Sequence, residues 1–304
     1  MLEAPEAPYT NSAARAVAVV EFLASNPNQT FTLSEVARRC NLRKSTAKVV
    51  LSCLHHAGWL TRSPVDLRYG LGPMLIMIGR AADEARPEVN LARPVMLDLS
   101  LRLHCECVLN ATTGGEIVIL ESTAPGGLSG RYLASGQRGP FVAPYGAVFV
   151  AWRSRADRSD WYNRPPGDPN RIGQLDQILD ECVKRGYVVT IQSDPRERMM
   201  EIIEEASDQL TTEEIRVLMR SHLANLSPDT YLTGRLRKND RYLVNAVQAP
   251  IFDARGIPAF ALSVHIGRTL DGTAVAELGQ AVRLAAGTVT AVIADHAPYH
   301  PTPA

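Results

Sequence analysis

The sequence has no surplus of charge, with Lys plus Arg and Asp plus Glu at 32 each in 304 residues. That balance excludes a chain that coats nucleic acid or an anionic membrane with its whole surface. Cysteine is scarce: Cys40, Cys53, Cys105, Cys107 and Cys182 are odd in number and scattered through apolar periodic segments. A disulfide framework is excluded, and a reduced, intracellular setting is expected. No apolar run approaches a membrane span, and MLEAPEAPYTN lacks the basic flank and apolar stretch of a signal peptide. A cytoplasmic protein with no membrane partner is the expectation. Catalytic signatures are missing too. There is no H-E-x-x-H and no G-x-x-x-x-G-K, and GGLSG (Gly126 to Gly130) lacks the G-x-S-x-G elbow. The dinucleotide pattern fails at Gly70-Leu71-Gly72 because Leu75 stands where a third Gly is required. An enzyme is not expected, nor a cofactor. His104, Cys105, Glu106 and Cys107 form one cluster of metal-ligating types, but strand alternation would separate the thiols from the His, and no second cluster lies nearby. A structural strand is expected there, and no metal.

What is present is an uneven charge distribution. Residues 12–72 hold eight Lys or Arg against three acids, which points to an anion-binding module at that end. Ser12 can cap a helix with apolar positions Ala13, Ala16, Val17, Val20 and Leu23 at three-four spacing. Thr32 and Glu35 have capping-box spacing, and Leu33, Val36, Ala37 and Cys40 supply the inner face of a short second helix. After a turn, RKSTAKVVLSCLHHAGWLTR (Arg43 to Arg62) places Ala47, Val50, Leu51, Leu54 and Ala57 on one side of a third helix. Lys44, Ser45, Lys48, Val49, Ser52, His55 and His56 lie opposite. Gly58 fits the left-handed position that ends a helix, with Trp59 folding back. The runs at Trp59 to Arg62 and Leu67 to Leu71 flank a Ser-Pro turn and read as a hairpin. Helix, helix, turn, helix and two-stranded wing make a winged helix-turn-helix. In it the outward cations neutralise phosphates while hydroxyls and neighbouring side chains reach base edges. The candidate DNA contacts are Arg43, Lys44, Ser45, Thr46, Lys48, Val49, Ser52, Arg62 and Arg68.

From Pro73 to about Arg86 an apolar-rich helix reads as a connector that also packs on a partner. Further helices are expected from about Leu91 to Leu103, Pro144 to Arg153, Ile172 to Arg185 and Thr273 to His296. Strands are expected in CECVLNATTGGEIVILES, as a hairpin around Thr113-Gly114-Gly115, and at Gly130 to Ala134, Tyr187 to Gln192, Leu243 to Ile251 and Ala259 to His265. Strands with helices on their faces suggest an α+β sensor-type domain.

Five segments taken in order resemble one family. SAARA, LRKSTAKVVLSCLHHAGWL and RYGLGPMLIMIG are similar to the S-x-x-R-A, L-P-K-S-T-x-x-R-L-L-x-x-L-x-x-x-G and R-Y-x-L-G-x-x-x-x-x-L-G stretches of the IclR family of bacterial transcriptional regulators. APYGAVFVA and AVQAPIFDARGIPAFALSV are similar to that family's G-K-A-L-L-A and I-A-A-P-V-x-D-x-x-G-x-x-x-A-L-S-V segments. The resemblance implies an α+β chain: a winged helix-turn-helix followed by a GAF-like α/β effector-binding domain. Its layout would be a tail at 1–11, the DNA-binding domain at 12–72, a linker helix at 73–86, the effector-binding and oligomerisation domain at 87–297, and a tail at 298–304. It further implies a homodimer or homotetramer on a palindromic operator in double-stranded DNA, with a small organic effector, acidic or aromatic, shifting the equilibrium. Pro144, Tyr145, Gly146, Ala246, Ser263 and His265 fall at the family's pocket positions, where the free amides of a helix start would suit a carboxylate. Departures stand beside these matches. Val49 replaces the recognition-helix Arg, Ala147 replaces a Lys, Tyr145 narrows the pocket, and basic residues from Arg235 to Arg241 stand where the family is acidic. Residues 196–227 read as an inserted pair of helices. With the pocket so altered, a DNA-binding oligomer that senses no ligand is the alternative.

Overall fold

A computed structural model describes residues 11–113, 115–125, 136–164, 169–191 and 211–296. The described residues pack as two units, one ending at Arg86 and also holding residues 211–217, the other beginning at Pro87.

In the N-terminal unit, α1 (Ser12–Ala24) starts one residue earlier than Ser12 capping would place it. Asn11 is the cap, its side chain accepting from the Ala14 amide at 2.9 Å. The helix buries Val19, Phe22 and Leu23, while Ala13 and Val17 of the expected stripe are exposed. With apolar residues on almost every side, its sequence leaves the inward face undetermined until the neighbouring helices choose it. For α2 (Leu33–Arg39) the capping box forms in full: Glu35 Oε2 accepts from the Thr32 amide at 2.7 Å and Thr32 Oγ1 from the Glu35 amide at 3.3 Å. Asn41, at φ +51°, turns the chain into α3 (Lys44–His56). The inner face of α3 is Ala47, Val50, Leu51 and Leu54, all buried against Val19, Phe22, Leu23 and Val36; Ala57, expected with them, is an exposed C-cap. Gly58 at φ +73° brings the Trp59 amide onto the Leu54 carbonyl at 2.9 Å, closing the helix as its sequence implied. The wing is β1 (Leu60–Arg62) antiparallel to β2 (Tyr69–Leu71), extended by backbone pairing of Tyr69 with Phe31. Next comes α4 (Met74–Glu84), which buries no residue.

In the C-terminal unit, α5 (Pro87–Leu103) begins a turn before the expected Leu91. It leads into the hairpin of β3 (Glu106–Thr113) and β4 (Glu116–Thr123), which pair down to Thr113 and Glu116. Then come β5 (Arg138–Pro140), α6 (Arg155–Tyr162), α7 (Ile172–Arg185), β6 (Val188–Ile191), α8 (Thr212–Ala224), α9 (Pro228–Tyr231), β7 (Arg241–Phe252), β8 (Pro258–Asp271) and α10 (Gly272–His296). The helix expected at Pro144 to Arg153 reduces to one 3-10 turn, Ala147–Phe149. The strand expected at Gly130 to Ala134, the first helix of the 196–227 insertion and most of both tails lie outside the described residues; α8 and α9 occupy the rest of that insertion.

Six strands in the order β5-β4-β3-β8-β7-β6, antiparallel throughout, form one sheet. Strand alternation gives it two unlike faces. Cys107, Leu109, Val247, Ala249, Leu262 and Val264 point to a wholly apolar layer with Met96 and Leu99 of α5 and Val275, Val282 and Val289 of α10. At roughly 2 kcal/mol for each fully buried aliphatic side chain, this layer dominates the unit's stability. The other face meets Phe149, Trp161, Leu179 and Tyr231 and carries polar residues in its middle.

Candidate nucleic-acid interface and ligand pocket

The outward face of α3 is uncovered along its length. Arg43, Lys44, Ser45, Lys48, Val49 and Ser52 are exposed and Thr46 is half-buried. Ser45, Lys48, Val49 and Ser52, at three-four spacing, share one stripe. Val49, 70% exposed, is the one apolar side chain on it. The far end of the helix is tied to the wing, where His55 Nδ1 lies 3.0 Å from the Leu60 carbonyl. Arg62 is exposed on β1 with its guanidinium 5.4 Å over the Tyr69 ring, which holds the cation flat against the wing. Arg68 is placed differently from the sequence expectation of a DNA contact. Its guanidinium bonds to the Thr30 carbonyl at 2.6 Å and pairs with Glu35 Oε2 at 3.1 Å, so it fastens the wing to the start of α2. The same Glu35 carboxylate is held below the usual range, chiefly by the Thr32 amide, against the opposing effect of burial and with help from the Thr32 hydroxyl and Arg68.

On the polar face of the large sheet, a cavity of about 30 Å³ opens between the strands and the 3-10 turn. Register builds it. Ala246 of β7 stands across from His265 of β8, and His265 across from Glu106 of β3, so the three share a face. Val244 faces the apolar layer and Ala246 the cavity, which requires an extra residue between them; a β-bulge supplies it, and the residue is Asn245. Thr190 of β6 seals the bulge, its hydroxyl accepting from the Ala246 amide at 3.0 Å. Asn110 Nδ2 donates to Ser263 Oγ at 3.0 Å. Asn245, 8% exposed, and Gln248, half-buried, both line the cavity, and neither carboxamide hydrogen-bonds to any described residue. A buried amide in that state costs about 1–3 kcal/mol, an arrangement that a bound polar group would relieve.

Of the six pocket residues expected from sequence, Tyr145, Gly146, Ala246 and His265 line the cavity. Pro144 is buried behind them and does not line it. Ser263 is fully buried beneath Asn110, so it positions that amide and does not face a ligand. Tyr145 and Tyr231 flank the mouth with ring centroids 6.3 Å apart. The Tyr145 carbonyl accepts from Trp161 Nε1 at 3.2 Å, which anchors its backbone. The amides expected at a helix start are those of a three-residue 3-10 turn, too short to sum into a macrodipole. Sequence reading missed Asn110, Thr190, Tyr231, Asn245 and Gln248. Polar residues inside apolar strands were the available signal.

The thiols of Cys105 and Cys107 are buried, and burial pushes both up, Cys107 to about 12, so they stay protonated. Among the described residues no three His, Cys, Asp or Glu side chains converge to hold a metal ion. No helix among them is long and apolar enough to cross a membrane.

Residues 12–64 match the family profile of the IclR helix-turn-helix domain. No curated protein matches the chain. Solved structures do. An IclR transcriptional regulator from Alicyclobacillus acidocaldarius is 21% identical, with a TM-score of 0.65 over 92% of this chain and 97% of its own. An IclR homologue from Microbacterium hydrocarbonoxydans, complexed with 4-hydroxybenzoate, is 20% identical, with a TM-score of 0.61 over 92% and 98%. The Thermotoga maritima IclR is 18% identical, with a TM-score of 0.58 over 93% and 99%. At these identities the likeness is one of fold, and it spans both units.

Proposed function

We infer, from an N-terminal domain that makes this an IclR-family chain and from the fold it shares with solved IclR regulators, that the protein is a DNA-binding transcriptional regulator and not an enzyme. Its DNA-reading surface is the outward face of α3 with the wing. Lys44, Lys48 and Arg43 take phosphates, Ser45, Thr46, Val49 and Ser52 meet base edges, and Arg62 follows the backbone along the wing. The observation that carries this reading is an uncovered stripe of cations and hydroxyls on a helix whose opposite side is fully committed to the core. Arg68 acts at one remove, by holding the wing.

The second half of the proposal is a small organic effector in the cavity beneath Tyr145 and Tyr231. An aromatic molecule suits the paired rings, and the Microbacterium homologue was solved with 4-hydroxybenzoate. The competing reading, a sensor domain that binds nothing, draws on the cavity's about 30 Å³, room for a water or two but not for an organic molecule. Occupancy therefore requires Tyr145 or Tyr231 to swing out. The operator unit is a homodimer or a homotetramer, because a single helix in one groove makes too few contacts for a tight site.

The test is fluorescence anisotropy of the full chain on an operator selected from random duplexes, repeated across salt concentrations. Lys48→Ala is expected to weaken specific and random duplexes alike and to lower the slope of log K against log salt by about 0.9. An unchanged slope removes Lys48 from the phosphate contacts. Failure to select any sequence removes the specific-binding proposal.

A further inference from the structure

The expectation carried from sequence is an acidic or aromatic effector, and the cavity distinguishes between the two. None of its described lining residues is Lys or Arg. The nearest carboxylate stands on the wrong side for an anion: Glu106 lies directly across from His265 on the same sheet face, its Oε1 accepting from Ser122 Oγ at 2.8 Å. The turn that begins at Gly146 holds three residues and offers no helix dipole in place of a cation. What the cavity does offer is two carboxamides without described partners, Asn245 and Gln248, and each presents both a donor and an acceptor. Asn245 is there only because the bulge inserts it, and Thr190 spends its hydroxyl on keeping that bulge closed.

We propose that the effector is an uncharged aromatic molecule carrying an amide-like edge, whose donor and acceptor pair with Asn245 and Gln248 while its ring lies against Tyr145 and Tyr231. This rests on the reading of the cavity as the effector site. Two neutral carboxamides satisfy an amide edge completely, whereas a carboxylate would use only their donors, leave both carbonyls unpaired, and lose its hydration with no cation in return. Charge, more than shape, is then the basis of discrimination between an amide and the matching acid.

Matched pairs test this on the full chain at neutral pH: benzamide against benzoate, and 4-hydroxybenzamide against 4-hydroxybenzoate, read by thermal shift and by saturation-transfer NMR. The amides are expected to raise Tm by about 2–4 °C near saturation and the acids to leave it unchanged. Asn245→Leu and Gln248→Met should each weaken amide binding about tenfold with the protein still folded, and Gln248→Lys should admit the acids. Acids that bind as well as or better than the amides overturn the proposal and leave the cavity as the effector site. If no probe shifts the wild-type protein, Tyr145→Gly, which opens the mouth, is assayed with the same four compounds. Amide-selective binding to that variant supports the proposal. Binding by the acids overturns it, and the absence of any binding overturns both it and the reading of the cavity as a sensor site.

Discussion

Val49 is a branched apolar side chain at 70% exposure on a stripe of cations and hydroxyls, where solvation alone gives it no reason to be. Packing on the wing or on its helix neighbours would have buried it, and it is not buried. The purpose left to it is contact with DNA, and an apolar residue in a major groove packs on the C5 methyl of thymine. Replacing thymine with uracil opposite Val49 should weaken operator binding by about 1 kcal/mol, measured by anisotropy on paired duplexes, while Val49→Arg should move the preference at that base pair toward G·C. Tolerance of methyl loss at every operator position would remove Val49 from the readout. Glu35 gives a second test at this scale. Its folded-state pKa is depressed, so its contribution to stability is present above the ordinary carboxylate pKa and is lost as pH falls through the folded value. Between pH 6 and pH 3, Glu35→Gln should therefore show a shallower fall in Tm than the wild type, by calorimetry. The Thr32–Glu35 box was legible because both partners lie within one turn. Asn245 was not, because what turns it into the cavity is a bulge set by pairing with two other strands.

Elements with a sharp period were readable to the residue. The stripe Leu175, Ile178, Leu179 and Cys182 marks α7, which runs from Ile172 to Arg185 as the sequence implied, and Gly186 at φ +87° ends it. Where small apolar residues crowd together the period is lost. Ala147 to Ala151 reads as helix by propensity, yet all five side chains are buried on several sides at once, and the backbone makes only a 3-10 turn among them. Gly146 sets that turn at φ +89°, and a Cβ there would stand 2.6 Å from Phe141 Cδ2 and 2.9 Å from Ile117 Cδ1. Gly146→Ala thus combines a left-handed backbone with a clash against two core side chains. It should cost roughly 2–4 kcal/mol, seen as a lower midpoint in urea. An untouched midpoint would mean that this wall of the cavity yields freely.

At the scale of the whole molecule, the sequence made the two-part architecture visible because the helix-turn-helix and the strand-rich segment differ in period and in charge. It could not pair six strands into β5-β4-β3-β8-β7-β6, since every contact on β8 except its turn to β7 is made across long stretches of chain. What the chain leaves uncovered is α4. None of its residues is buried, Ile76 and Met77 are 68% and 66% exposed, and Met74 and Ile78 add to the same apolar surface. Such a patch on a soluble helix marks an interaction site, and a two-fold operator calls for a second copy of the chain. The double substitution Ile76→Glu with Met77→Glu removes no core packing in the isolated chain, so the variant should keep its Tm at low concentration. Sedimentation should show its self-association weakened by at least about tenfold, and operator affinity should fall with it because the two half-sites are no longer held in register. An assembly that survives both glutamates, with operator affinity intact, would move the interface off α4.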